Sequence, residues 1–444
     1  MNGTYKEISN LVGLSMEQFD YFRSTNQIEL QPARLIPQRT AKGDERALTS
    51  IFLSTIRLVK EYRNSLFKEF SIKKSGKIYY FTEAKFKDID ESRIDGLIIV
   101  VVKNKIIDAA FFEMKSKNEP LKIDQIEKYQ KIAEKLNIPK LITISNDFVS
   151  DPKYSPIKIK ANKKVELLHF SWTYLMTVAK LLLFDNDENI EDEDQVEIMR
   201  EVLHYLEHKD SGTTGYTKMQ DGWKDVVDKI SNLIPLKRDD ENVQQAVLSW
   251  YEEEKDMALL LSRKLGVLVK SPSRQDSAIK DGEHLIKHNN VTSVLSVKNA
   301  VSKIKITAEF ERKSVIMGIT ITPPQDKGSK ARITWLTKQL ENCSKKENAI
   351  FESIQKDICI DMDIKNARSD VRVGLKDLHT LFDESAGREI QGFNIVLIKN
   401  LKKNFGSSSG FISAIENMIL EYYQGIVQHV STWSKPTPKI IEGE

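Results

Sequence analysis

The sequence predicts an α/β protein, with a mixed sheet flanked by helices in its N-terminal half and an α+β domain after it. Residues 44–67 carry apolar side chains at helical spacing, among them Leu48, Ile51, Phe52, Ile56, Val59, Tyr62 and Leu66. Segments rich in Ile, Val, Phe and Tyr then follow at 77–86, 93–102, 106–117 and 140–145, bounded by turns such as Lys103-Asn104. One amphipathic helical segment, 123–136, interrupts these strands, an alternation that describes a mixed sheet covered by helices.

The elements are justified in turn. Residues 15–22 form a short helical pattern, followed by an extended stretch broken by Pro32 and Pro37, so residues 1–42 form an extension expected to lie against something larger. A single long helix over 44–67, with Asp44 as its N-cap, opens the first domain, 43–184. The apolar strand 165–172 runs into a helix that ends near Phe184 and closes it. Seven of the ten residues 185–194 are acidic, which reads as a solvated linker, and helices at 195–206 and 222–233 complete a connector over 185–234. The second domain, 235–434, begins with a helix over 242–264 and a polar loop over 271–290. Strands at 292–297, 303–311 and 314–322 form an antiparallel meander, and a helix at 328–342 follows. Strands at 357–364, 369–375 and 394–398, the Gly406-Ser-Ser-Ser-Gly410 loop and a helix over 411–427 complete the domain, and 435–444 form a tail.

Composition narrows the function classes. A chain of 444 residues is long enough for two or three domains, and its 40% hydrophobic content supports real cores. Lys and Arg number 67 against 64 acidic residues, so bulk charge does not announce a nucleic-acid binder and any basic surface must be local. Two cysteines, Cys343 and Cys359, are too few for a disulfide framework and have no zinc-ligand spacing. Neither a signal-peptide layout nor an apolar run near ~20 residues is present, so a cytoplasmic protein without a membrane partner is expected.

The chemistry concentrates in Arg93-Ile-Asp95-Gly96, seventeen intervening residues after Asp95, then Glu113-Met-Lys115-Ser-Lys117. Because side chains alternate along a strand, Glu113 and Lys115 share a face, and Asp95 on the preceding hairpin strand can approach Glu113. Two carboxylates side by side are costly to bury without a compensating cation, and an all-oxygen set suits Mg²⁺ or Mn²⁺ rather than zinc. Such an ion would polarise a scissile phosphate, with Lys115 positioning or deprotonating the water, which points to phosphodiester hydrolysis.

This segment resembles the PD-(D/E)XK nuclease superfamily, over roughly residues 43–172. The resemblance implies a restriction-endonuclease-like fold, with Asp95, Glu113 and Lys115 in the catalytic positions and Ile94 where the family name has a proline. It also implies a further acid on the leading helix, best matched by Glu45 beside Asp44, so that Asp95, Glu113 and Glu45 would hold the metal. Gln125-Ile-Glu-Lys-Tyr129 is similar to the Gln-x-x-x-Tyr of the family's next helix, and spacing of four sets both on one face. Gln125, Tyr129 and Lys117 would then contact substrate. A Mg²⁺-dependent deoxyribonuclease is implied, with DNA as its partner, an endonuclease of bacterial defence against foreign or phage DNA. A homodimer or higher homo-oligomer and an activating protein partner are further expectations. The alternatives are a catalytically silent nucleic-acid- or partner-binding protein and an RNA-cleaving effector.

Other motifs read more plainly. His204 and His208 have helical zinc spacing but no third ligand, and Asp361 and Asp363 share a strand face without a companion lysine or glutamate. The basic stretches 264–274 and 399–403, with Lys327, Lys330 and Arg332, read as solvated faces or as contacts to a nucleic-acid backbone. Trp335 reads as core or interface.

Overall fold

The computed structural model describes residues 10–33, 35, 44–116, 119–149, 152–183, 190–208, 210–213, 215–272, 274, 277–367, 369–385 and 387–434. The chain divides into two compact units, Met1–Tyr216 with Ser262–Val267, and Thr217–Leu261 with Leu268–Glu444. The expected connector is therefore split. The helix at its start buries Met199, Val202, Leu203 and Leu206 in the first unit's core, whereas the helix after Gln220 goes with the second.

The first unit runs α1 (Met16–Ser24), β1 (Ile28–Pro32), α2 (Glu45–Leu58), α3 (Lys60–Glu69), β2 (Lys77–Phe86), β3 (Asp90–Val102), β4 (Lys105–Met114), α4 (Ile123–Lys135), β5 (Lys140–Ser145), β6 (Glu166–Ser171), α5 (Trp172–Leu183) and α6 (Glu193–Glu207). Its six strands lie in sequence order, antiparallel from β1 to β4 and parallel from β4 to β6, so the sheet is mixed. The β3–β4 hairpin closes on Lys103-Asn104, both with positive φ, the conformation that a tight two-residue turn demands. One face of the sheet packs Ile98, Ala110, Phe112 and Ile142 against α2, α3, α5 and α6. The other packs Leu97, Ile99, Phe111 and Leu141 against α1 and α4. Strands buried on both faces explain the nearly continuous apolar runs.

Within the extension expected to lie against something larger, β1 is an edge strand of the sheet, with Ile28 paired to Phe86 and Pro32 to Phe81. Two expectations are corrected here. The long helix is two helices: Val59 is extended (φ −101°, ψ 104°), and the Arg63 guanidinium takes the Ile56 and Arg57 carbonyls that the break exposes. The ExK strand ends at Met114, so Lys115 lies just beyond it, although its N–H still donates to Ile144 O at 2.8 Å.

The second unit contains α7 (Asp221–Ser231), α8 (Glu241–Leu265, except its last four residues), α9 (Ala278–His288), β7 (Asn290–Leu295), β8 (Ile304–Glu309), β9 (Ser314–Ile321), α10 (Ser329–Lys346), α11 (Asn348–Ile354), β10 (Ile358–Ile364), β11 (Val371–Gly374), α12 (Leu381–Glu384), β12 (Ile390–Asn400) and α13 (Ser408–Tyr422). Its antiparallel sheet has the order β11-β10-β12-β9-β8-β7. The expected polar loop over 271–290 instead contains α9, an amphipathic helix of 11 residues that buries Gly282 and Leu285. Among the described residues no helix is long and apolar enough to cross a membrane.

Candidate active site

The sheet register assembles the site. Gly96 pairs with Phe112, so the next step along the β3–β4 ladder sets Asp95 opposite Glu113. Glu113 pairs in turn with Thr143, and Thr143 with His169. Paired residues project to one side of a sheet, and this row lies on the face that carries Leu97 and Phe111 beneath α4. Gly96 lets α2 approach: a Cβ there would meet Leu53 Cδ1 and Phe112 Cβ, both at 3.0 Å.

Helix α2 brings the third carboxylate. Asp44 is its N-cap, accepting from Arg46 N–H at 3.0 Å, which leaves Glu45 free to turn inward. Lys115 Nζ donates to Glu45 Oε2 at 3.1 Å, and Ser116 N–H donates to Glu45 Oε1 at 3.2 Å. The same ammonium lies 2.8 Å from Glu113 Oε1. Asp95 Oδ2 accepts from Met114 N–H at 2.8 Å. The Trp172 indole donates to Lys115 O at 2.8 Å while packing edge-on against Phe52, which fixes the backbone of the lysine.

The electrostatics of this cluster are unbalanced, because the Asp95, Glu113 and Glu45 carboxylates face one ammonium. Burial, followed by the nearby Glu113 charge, holds the Asp95 carboxyl well above the usual carboxylate range. Burial also raises Glu113, although Lys115 draws it partly back. Burial opposes the charge on Lys115, but Glu113, Glu45 and Asp95 together hold its pKa above the ordinary lysine value, so it is a firm cation. Glu113 is fully buried, with Oε1 2.8 Å from the Lys115 ammonium and the Asp95 carboxyl as its other side-chain neighbour. Two buried carboxyls that share one ammonium are costly, and a bound cation is an ordinary remedy.

Whether these residues suit a metal follows from that donor set. The hard oxygen donors of Asp95 and Glu113 fit Mg²⁺ or Mn²⁺, and a bound cation would offset the burial that raises both carboxyls. Among the described residues no three His, Cys, Asp or Glu side chains are grouped so that they could hold a metal ion by themselves, because Glu45 is turned to Lys115 and Ser116. Asp95 and Glu113 fit the more open kind of site, in which one or two carboxylates and the substrate phosphate share Mg²⁺.

Tyr129 and Gln125 stand at the edge of the cluster. Tyr129 OH donates to Arg93 O at 2.6 Å and accepts from Gln125 Nε2 at 3.0 Å, which braces the strand that carries Asp95. Burial, with Glu113 next, raises the Tyr129 phenol, so it stays protonated. Lys117 lies outside the described residues. Thr143 and His169 were not singled out from the sequence; the only signal was their position on apolar strands. Both are buried, with Thr143 Oγ1 2.9 Å from His169 Nδ1 and the other ring nitrogen 2.9 Å from Asp147 O.

The remaining candidates are occupied elsewhere. His204 and His208 are exposed beside Glu201 and Asp210. Asp361 forms a two-pronged pair with Arg372. Arg274 pairs with Glu254 and Asp281, and Lys399 with Glu421. Arg332 is buried and donates to the Lys327, Gln325 and Ile390 carbonyls. Arg274, Lys399 and Arg332 thus have structural roles.

Comparison with protein-family models, with curated proteins and with solved structures finds no match, so a functional reading rests on the residues of the chain itself.

Proposed function

We propose that this protein is a metal-dependent nuclease of the PD-(D/E)XK type that hydrolyses DNA phosphodiester bonds at Asp95, Glu113 and Lys115. The observation that carries the reading is the fully buried Glu113 carboxylate, paired to Lys115 at 2.8 Å and set opposite Asp95 on the neighbouring strand. Burial raises both carboxyls, and two buried acids that share one lysine are an arrangement that a cation and a phosphate would relieve. The mixed sheet with helices on both faces supports the same reading.

Asp95 and Glu113 would hold Mg²⁺ or Mn²⁺, with Glu45 able to join by releasing Lys115. Bound there, the ion supplies Lewis-acid polarisation of a phosphoryl oxygen and a lowered pKa for water. Lys115, protonated and fixed by two carboxylates, orients the water and offsets charge on the pentavalent phosphorus. Trp172 and the Ile144 carbonyl hold its backbone in place. Gln125 and Tyr129 position the Asp95 strand and present polar groups at the edge facing the substrate. Defence against foreign DNA is the biological setting proposed for such an activity.

The test is incubation of the protein with supercoiled plasmid, linear duplex, single-stranded DNA and RNA, each with Mg²⁺, Mn²⁺ or EDTA, beside Lys115→Ala. DNA cleavage that needs the metal and is lost in the variant is the expected result. Cleavage of RNA alone would move the reading to an RNA effector. Absence of cleavage on every substrate, or cleavage unchanged in Lys115→Ala, would overturn it.

A further inference from the structure

The second unit contains a basic cavity that the hydrolytic site does not use. It has a volume of about 670 Å³ and is lined by Lys224 on α7, Lys313 before β9, and Lys402 and Lys403 after β12. A cavity of this size matches a small-molecule site. Among the described residues none of these four ammonium groups forms an ion pair or a side-chain hydrogen bond, whereas Lys229, Lys365 and Lys399 of the same unit are each paired with a carboxylate. Asp221 and Asp228 also line the cavity, so four cations face two carboxylates and leave an excess of two positive charges. Packing holds the lysines together: Leu401 N–H donates to Lys313 O at 2.8 Å, and Asn400 ties the same turn to Arg312 O at 2.7 Å. The excess of positive charge over Asp221 and Asp228 favours an anionic ligand.

Two helices start at the wall. The cavity wall includes Gln220 and Asp221 at the start of α7, and Ser407 and Ser408 at the start of α13. No side chain caps α7, because Gln220 is turned away to donate to Glu252. The α13 start is capped by Ser407, which accepts from Gly410 N–H at 3.1 Å, so the uncapped α7 start is the end that adds positive potential to the wall. The aromatic residue in the wall, Trp223, is fully buried and donates its indole N–H to Phe405 O, so the cavity has no ring on which a base could stack. Recognition there rests on charge.

We propose that this cavity is a phosphate-binding site, separate from the hydrolytic centre, that takes the phosphates of a nucleotide or of a nucleic-acid strand. The proposal does not depend on the nuclease reading, since binding can be followed in EDTA, where no metal-dependent cleavage occurs. Inorganic tripolyphosphate, ATP and a short DNA duplex would each be titrated calorimetrically into the full-length protein. Lys402→Glu/Lys403→Glu, Lys224→Glu and, outside the cavity, exposed Lys330→Glu would be titrated in parallel.

The expected result is binding that weakens with salt and falls on the order of tenfold per cavity lysine replaced, with Lys330→Glu unchanged. Because Lys224 lies on an exposed helix face apart from the Lys402 turn, its variant keeps the test decisive if the double variant folds poorly. Binding of tripolyphosphate and ATP without the duplex would assign a free nucleotide; binding of the duplex alone would assign a strand. Failure of all three probes to bind, or equal binding by wild type and both cavity variants, would overturn the proposal.

Discussion

Replacing Lys115 with methionine should destabilise the first unit in a way that depends on pH. The ammonium lies 2.8 Å from Glu113 Oε1, with side-chain exposures of 11% and 0%, so solvent screens the pair little. At an effective dielectric of ~20 that contact is an attraction of ~6 kcal/mol, part of which offsets desolvation of the lysine. Breaking a buried pair costs about 3–5 kcal/mol, and the lower end applies because Glu113 can take up a proton. A loss of ~3 kcal/mol lowers the Tm of a domain of this size by about 6–12 °C. Without Lys115 the folded-state pKa of Glu113 rises further above its unfolded value of 4.5. The folded state then binds the extra proton, so the loss grows as pH rises above 4.5 and fades as pH falls towards it. Thermal unfolding followed by circular dichroism in EDTA, at ~pH 8 and ~pH 5, reads both effects. Adding Glu113→Gln should restore most of the loss at ~pH 8, by removing the stranded charge. A Tm shift under about 2 °C at ~pH 8, or no recovery in the double variant, would refute the reasoning.

Other sites give further expectations. Gly96→Ala should cost about 1–3 kcal/mol in chemical denaturation, because its Cβ would press on Leu53 and Phe112 at 3.0 Å. A cost near zero would show that α2 can give way. Trp172→Phe should lose about 1 kcal/mol with the indole bond to Lys115 O, and should lower the cleavage rate at saturating substrate more than it raises KM. Unchanged turnover would remove Trp172 from the positioning of Lys115. Burial lowers the His169 pKa below 6.5, so the unfolded chain binds more protons as pH falls through 6.5. Stability is thus fully present above that pH and declines by ~1.4 kcal/mol per unit below it, until the folded-state value is reached. His169→Gln should flatten that limb in acid denaturation; an unchanged limb would assign it to other groups.

How much was legible in the sequence differs by element. The β3–β4 hairpin could be read because Lys103-Asn104 marks a tight turn between apolar runs, and the seventeen-residue spacing then sets Asp95 opposite Glu113. Glu45 could be separated from Asp44 only in three dimensions, where one caps α2 and the other reaches Lys115. The break at Val59 was hidden because the apolar spacing continues across it, while the freed carbonyls are taken by Arg63 from the following helix. Thr143 and His169 were not found because each looks like a polar interruption in an apolar strand, and only the parallel register through β4, β5 and β6 joins them to Glu113. Arg274 and Arg332 looked like surface charge, but their partners, Glu254 and three backbone carbonyls, are brought to them by the fold.

The most direct test of the hydrolytic site is the single-turnover cleavage rate of Glu113→Gln on the DNA substrate that wild type cuts best, in Mg²⁺. Lys115 keeps Glu45 at 3.1 Å, so its charge remains paired in this variant, and thermal unfolding followed beside the rate shows that the unit is folded at the assay temperature. The account predicts a rate lower by on the order of 10³-fold or more in the folded variant. A rate within about tenfold of wild type in the folded variant would contradict it.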